Sequence, residues 1–336
     1  MLRVPFNDLY QALNKAMQHL GVAKDRAALS ARLFAETTRD GVYTHGLNRF
    51  PRFSEAVRNG SIDVHAEPTR TTAFAAIERW DGHRGVGNLN AHAAMQRTIA
   101  LAKEHGIGAV ALANTNHWMR GGTYGWLAAE AGLFALCWSN TLPNLSAWGA
   151  ATPTVGNNPL VIAIPRPQGH IVLDMAMSQF SYGTLAAYSK RNAPLPVPGG
   201  FDDKGHLTQN AAAIEATQRA LPIGYWKGSG LSLVLDMLAA MLSGGLATHQ
   251  LPLDPARESG QSQIFLAIDP SNLAPANEFT QIADNIIANL HGTQPIDPAK
   301  PLRYPGEETL RLREENLRLG VPVDPELWQQ LISEYP

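Results

Sequence analysis

Phe6, Leu9, Tyr10, Leu13, Ala16, Met17 and Leu20 recur at the three-and-four spacing of an amphipathic helix, and Gly21 stops it. Ala28, Ala31, Phe34 and Ala35 predict a second helix over residues 25–39, with Gly41 after it. A compact polar turn over 42–49 and a short helix over 51–58 follow, so the chain opens as a helical unit. From residue 69 the period changes. The run 71–77 reads as a strand, 88–104 as a long helix closed by His105-Gly106, and 107–113 and 133–138 as buried strands either side of a helix over 124–131. Further strands are expected at 160–164, 171–175 and 264–268, and further helices at 228–242, 279–290, 307–319 and 325–332. Residues 189–209, rich in Pro, Gly and charge, read as a long loop, and 254–261 as a polar loop before the last strand. Strands alternating with helices predict an α/β fold, a sheet covered by helices.

Composition narrows the picture. The chain has 336 residues, room for one large domain or two, and its 45% hydrophobic content is that of a globular core. Net charge is −2, so nothing suggests a surface for nucleic acid or a polybasic membrane patch. The charged fraction of 17% lies below the roughly 25% average and points weakly to a surface covered by another subunit. Cys137 is the only cysteine, which excludes a disulfide framework and a Cys-based zinc site. The first twenty residues lack the continuous apolar core of a signal peptide. The longest apolar stretch, 231–242, carries Ser232 and Asp236 and is too short to span a bilayer. A reducing compartment, most simply the cytoplasm, is therefore expected.

Of the eleven histidines, none lies in a metal-ligand spacing such as HExxH, so no metal site is expected. Most read as exposed or capping residues. His45 differs, in a tight Tyr-Thr-His-Gly turn four residues before Arg49. An imidazole there can donate a proton to an oxygen becoming negative, and a nearby arginine can hold a carboxylate. His117 differs too, because Asn114-Thr115-Asn116-His117-Trp118 directly follows a strand, where α/β enzymes place reacting groups. The alternative for both is a histidine that hydrogen-bonds its own loop. Gly85-Val86-Gly87-Asn88-Leu89-Asn90 nearly matches the Rossmann fingerprint but is rejected. Residues 79–84 read as turn-like rather than as a buried strand, and Asn90 replaces the third glycine. In Gly224-Tyr225-Trp226-Lys227-Gly228-Ser229-Gly230, small residues and Lys227 at a helix start would suit a phosphate, or simply cap the helix. Asp174, at a strand end, could cap a turn or meet a ribose hydroxyl. The acidic residues after Pro305-Gly306 are explained by the helix dipole alone.

Together these segments resemble the malate/lactate dehydrogenase family that lacks a Rossmann fold. The likeness is carried by Gly41-Val42-Tyr43-Thr44-His45-Gly46-Leu47-Asn48-Arg49-Phe50-Pro51-Arg52-Phe53, by Asn116-His117-Trp118-Met119-Arg120-Gly121-Gly122-Thr123-Tyr124-Gly125-Trp126, by Gly156-Asn157-Asn158-Pro159-Leu160 and by the 224–230 run. The longer runs, with Gly199-Gly200-Phe201-Asp202-Asp203, resemble a branch acting on a sugar-derived 2,3-diketo acid.

The resemblance implies a sheet that binds NADH, or NADPH, without a Rossmann fold, over residues 71–299. It also implies a helical domain from 1–70 plus 300–336, a homodimer, and reduction of a 2-keto acid. Carried over by position, His45 is the proton donor with His117 beside it, and Thr44, Arg49 and Asn158 contact substrate. The cofactor contacts are His170, Ile171, Val172, Leu173, Asp174, Met175 and Ala176, the pair Trp226 and Lys227, and Gly306, Glu307 and Glu308. Thr44 stands where the family usually has Ser, and Glu307 where close relatives have His. Rival expectations are a reductase of malate/lactate, ureidoglycolate or cyclic imino acid type, or a catalytically silent sugar-acid or nucleotide-binding protein.

Overall fold

The computed structural model describes residues 2–336. β1 (Leu2–Val4) leads into α1 (Phe6–His19) and α2 (Lys24–Arg39), then two short turns of 3-10 helix, Tyr43–His45 and Leu47–Arg49, and α3 (Phe50–Arg58). The sheet begins with β2 (Thr69–Phe74) and β3 (Ile77–Asp81), followed by α4 (Gly87–His105), β4 (Ile107–Thr115), α5 (Gly122–Glu130) and β5 (Phe134–Ser139). A small pair, β6 (Pro143–Leu145) and β7 (Val155–Gly156), precedes β8 (Leu160–Ile164) and β9 (Ile171–Met175). Then come α6 (Tyr182–Lys190), the hairpin β10 (Gly200–Phe201) and β11 (Leu207–Thr208), α7 (Ala211–Thr217) and α8 (Trp226–Ser243). The chain ends with β12 (Gln261–Ile268), α9 (Ala276–His291), α10 (Glu307–Leu319), β13 (Val321–Val323) and α11 (Pro325–Glu334).

Seven strands form one sheet in the order β2-β3-β4-β12-β5-β8-β9. Only β3 and β4 run parallel; they flank α4, because a parallel neighbour needs a crossover of this length. The other pairings are antiparallel. β12 arrives from far along the chain and inserts between β4 and β5, its Phe265 opposite Val110 on one side and Cys137 on the other. Its nearly continuous burial explains the apolar run 264–268. Cys137 is buried there, and burial pushes its thiol pKa up, as for a core residue.

The expectation of a single strand over 71–77 is corrected. Ala75 takes φ +48 and the chain reverses, so 69–81 form a hairpin. Arg79, Trp80 and Asp81, read as turn-like, belong to β3. The near-miss glycine motif therefore does follow a strand and open a helix. It is excluded as a dinucleotide site by packing instead. A side chain at Gly87 would collide with the backbone oxygens of Asn116 and His117, and Asn90 Nδ2 donates to Gly82 O (2.8 Å) and Thr115 Oγ1 (3.0 Å). The start of α4 is filled by the loop that carries His117.

One core joins the two ends of the chain. Leu9, Leu13, Met17 and Phe34 pack with Val321, Val323 and Leu331, and β1 pairs with β13 through Leu2↔Val323 and Val4↔Val321. A second core, including Met95, Leu112, Tyr124, Val161 and Phe265, lies between the sheet and α4 and α5. A third, with Leu185, Ile214 and Leu235, lies beneath α6, α7 and α8. No helix is long and apolar enough to cross a membrane among the described residues.

Candidate active site

Two segments meet at a cavity of about 580 Å³, a volume suited to a small organic ligand. The first is the turn after α2. Gly41 at φ +82 reverses the chain, and a side chain at Gly46 would collide with Thr38. Leu47 N–H donates to Thr38 Oγ1 (2.9 Å), so the turn is clamped on α2 and presents Thr44, His45 and Arg49 to the cavity. The second is the loop after β4. Asn116 Nδ2 donates to the backbone oxygens of Arg84 (2.7 Å) and Gly85 (2.9 Å), and Tyr124 Oη donates to Trp118 O (2.6 Å). Met119, at φ +66, turns its N–H back to His117 Nδ1 (3.0 Å). That bond puts the proton of the neutral imidazole on Nε2.

The rings of His45 and His117 stack with centroids 5.8 Å apart at an interplanar angle of 20°. His45 Nδ1 lies 2.8 Å from Thr44 Oγ1. Burial, then Arg49, then Arg120, lowers the His45 pKa to about 4. Burial, followed by Arg49, His45 and Arg52, holds His117 well below its usual value. Both imidazoles are therefore neutral near pH 7.

Two ion clusters flank the pair. On one side Glu258 Oε2 lies 3.2 Å from Arg49 Nη2 and 2.9 Å from Arg52 Nη2. Burial lowers the Arg49 pKa to about 10, with Glu258 opposing it, so the guanidinium stays charged. On the other side Arg120, 6% exposed, donates from Nη1 to Asp40 Oδ2 at 2.7 Å. Asp40 also accepts from Arg313 Nε (2.9 Å) and Nη2 (2.8 Å) and from Arg39 Nε (2.8 Å). Burial alone would raise the Asp40 pKa, but Arg313, Arg120 and Arg39 outweigh it and hold the carboxyl at about 2.

The segments expected to hold a cofactor converge on β9, an edge strand. Val172 N–H donates to Pro305 O (3.0 Å), so alternate residues of β9 turn their backbone groups away from β8. A side chain on Gly306 would press to 3.1 Å from Val172 N and 3.2 Å from His170 O. Just beyond β9, Gln179 N–H donates to Leu221 O (2.7 Å) and Ile223 N–H to Met177 O (2.9 Å). This draws the start of α8, with exposed Trp226 and Lys227, toward the same edge. Asp174 and Ala176 face the cavity, and Gly122 N–H donates to Asp174 Oδ2 (2.7 Å). The protein packed around it raises the Asp174 pKa against Arg120 and that bond, although water reaches the side chain from the cavity. Ile171, Leu173 and Met175 face β8 with their backbone groups. Glu307 Oε2 accepts from Tyr304 N–H (3.1 Å) beside His291, and Glu308 pairs with Arg303 (2.8 Å) and Arg311 (2.5 Å).

Asn158 is placed elsewhere than expected. It is fully buried; its Oδ1 accepts from Thr141 N–H (2.9 Å) and its Nδ2 donates to Ser232 O (2.9 Å) and Oγ (3.0 Å). It braces the loop, while neighbouring Asn157 lines the cavity. Sequence reasoning missed Arg120, Glu258, Arg52 and Asp40. Arg120 and Arg52 lay without a role inside the motifs that carry the family likeness, and nothing local marked Glu258 or Asp40.

Residues 4–332 match the family model for malate/L-lactate dehydrogenase. The chain belongs to the malate/L-lactate dehydrogenase family. It is accordingly an oxidoreductase of a family that works with a nicotinamide cofactor. It is 45% identical over 330 residues to a 2,3-diketo-L-gulonate reductase of Citrobacter koseri, covering 98% of this chain and 99% of that one. Among solved family structures, sulfolactate dehydrogenase from Methanocaldococcus jannaschii superimposes with a TM-score of 0.91 at 25% identity, covering 99% of each chain. The Δ1-piperideine-2-carboxylate reductase of Pseudomonas syringae superimposes with a TM-score of 0.89 at 27% identity, again over 99% of each. The open edge of β9 and the motifs quoted for the family thus occur together in one fold.

Proposed function

We propose that the chain reduces a 2-keto sugar acid, 2,3-diketo-L-gulonate to 3-dehydro-L-gulonate, with NADH. The observation that carries the reading is the stacked His45–His117 pair in a cavity that Arg49 and, from β9, Asp174 also line, in a chain 45% identical to 2,3-diketo-L-gulonate reductases. The residues present fit a dinucleotide. Backbone groups of β9 are turned to the open edge, Gly306 lets a turn approach it, and Lys227 stands exposed at a helix start with no ion pair among the described residues. When bound, the nicotinamide supplies the hydride for the C2 carbonyl carbon.

The chain's own residues do the rest. Arg49 grips the substrate carboxylate. His117 donates from Nε2 to the carbonyl oxygen and orients it, and Thr44 fixes the His45 ring through Nδ1. In its protonated form, a minority near neutrality, His45 gives its proton to the oxygen as negative charge develops there and returns to the neutral imidazole. Asp174 and Ala176, which line the cavity beside this edge, stand where cofactor and substrate would meet, and the Gly306 turn with Glu307 and Glu308 would contact the dinucleotide. Consumption of NADH with purified 2-keto acids tests the reaction.

The same reading includes a homodimer. α8 leaves Leu231, Val234, Met237, Leu238 and Met241 exposed, a contiguous apolar face of the kind that protein interfaces cover. It fits the low charged fraction. Sedimentation at micromolar concentration is expected to give the mass of two chains; a single-chain mass would contradict the pairing. A buried free thiol suits the reducing cytoplasm.

A further inference from the structure

We infer that Glu258 is the positioning residue for Arg49, holding its guanidinium in the one orientation that receives a substrate carboxylate. This rests on the reading that Arg49 binds that carboxylate. An arginine side chain has many rotamers, and a buried one without an anion is unstable where it stands. Glu258 addresses both problems from the loop after α8. Its carboxylate is 7% exposed, and Oε2 takes both Arg49 Nη2 (3.2 Å) and Arg52 Nη2 (2.9 Å). Oε1 is fixed independently, accepting from Gln261 Nε2 (2.8 Å). Arg52 is locked in turn, donating from Nε (3.0 Å) and Nη2 (2.6 Å) to Pro255 O.

The loop cannot drift. Asn59 Nδ2 donates to Ala256 O (2.8 Å), Ser259 Oγ to Ser61 O (3.2 Å), and Gly260 N–H to Thr115 O (2.9 Å). Glu258 is thereby tied both to α3, just beyond Arg49, and to the β4 end that carries His117. Two guanidinium charges against one carboxylate leave a single net positive charge on this wall, the complement of one substrate carboxylate. Arg49 makes no other side-chain hydrogen bond among the described residues, so the rest of its fork is available. Arg120 lines the same cavity, but its charge is already met by Asp40 (2.7 Å).

The test uses oxamate, an amide isostere of a 2-keto acid, titrated into the full-length chain with NADH bound. Glu258→Gln is expected to weaken oxamate by about 10–100-fold and to raise KM for the keto acid similarly. NADH affinity should not change, and kcat should fall much less than KM rises. Glu258→Asp, which keeps the charge but reaches less far, recovers part of the loss. Gln261→Met frees only Oε1 and gives a smaller effect of the same sign; it carries the test if Glu258→Gln does not fold. Oxamate bound by the Glu258→Gln chain as tightly as by the unmodified one overturns the assignment. So does an equal loss of NADH affinity. If the unmodified chain itself does not bind oxamate, the reading of Arg49 falls first, and the role of Glu258 with it.

Discussion

Replacing His45 with Ala lowers kcat for keto-acid reduction by about 10²–10⁴-fold, the usual contribution of a placed general acid. NADH binding should be untouched, because in this reading the ring acts on the substrate oxygen rather than on the dinucleotide. The pH profile gives this substitution a second signature. In the free chain burial, Arg49 and Arg120 hold the His45 pKa at about 4, so the protonated acid is a minority near neutrality. As kcat/KM reports the free enzyme, it should fall as pH rises from 5 to 8, by roughly tenfold per unit. The profile of kcat should be flatter, since a carboxylate docked on Arg49 offsets one of the charges that depress the imidazole. In His45→Ala the steep limb of kcat/KM disappears. Near-normal turnover, or an unchanged steep limb, would move the proton donor to His117.

Asp40→Asn is expected to destabilise the fold by about 3–5 kcal/mol, the range for removing one partner of a buried ion pair. The amide fills the same volume, so packing is preserved and the loss is electrostatic. With an NH2 group in place of Oδ2, Arg120, almost fully buried, would lose its only side-chain hydrogen-bond acceptor among the described residues and Arg313 one of its two bonds, while Oδ1 still accepts from Arg313 Nε and Arg39 Nε. The shift in urea midpoint at unchanged m-value measures it. A companion change, Arg120→Met, should restore part of the stability by removing the stranded charge, although the cavity wall then loses a cation. The sign of the pH dependence follows. The Asp40 pKa is depressed from 3.8 to about 2, so its contribution is complete above about 4 and disappears as pH falls toward 2. A loss below about 1 kcal/mol in Asp40→Asn would show that the arginines find other partners.

The periodic elements were legible because their signals are local. The spacing in α1 and α2 and the glycines after them place both helices to within a residue or two. β3 was not legible, because its buried inward residue is Glu78, an acid where an apolar residue is expected. The fold tolerates it only because Arg97, Arg70 and Trp80 all hydrogen-bond the carboxylate. β1 and β13 are three residues each and exist only by pairing across the whole chain. The central place of β12 has the same origin, since strand order is set by partners and not by the strand's own residues. At the site, His45, Arg49 and His117 stood out by type and context, but their stacking is a tertiary fact. Asp40 and Glu258 had no sequence signature at all, because the cavity-lining arginines they hold, Arg120 for Asp40 and Arg49 and Arg52 for Glu258, lie 80 residues and more away. The Asn157-Asn158 pair shows the limit within a motif: which of two neighbours faces the cavity depended on one step of backbone direction.

The most direct measurement is NADH consumption by the purified chain with 2,3-diketo-L-gulonate, set against pyruvate, and repeated with NADPH. A site that hydrogen-bonds the extra oxygens of the sugar acid should favour it over pyruvate in kcat/KM by about 100-fold or more, with NADH the better cofactor. No oxidation of NADH with the diketo acid, alongside turnover of a simple 2-keto acid, would contradict the substrate assignment, and NADH binding without turnover of any keto acid would contradict the reductase itself.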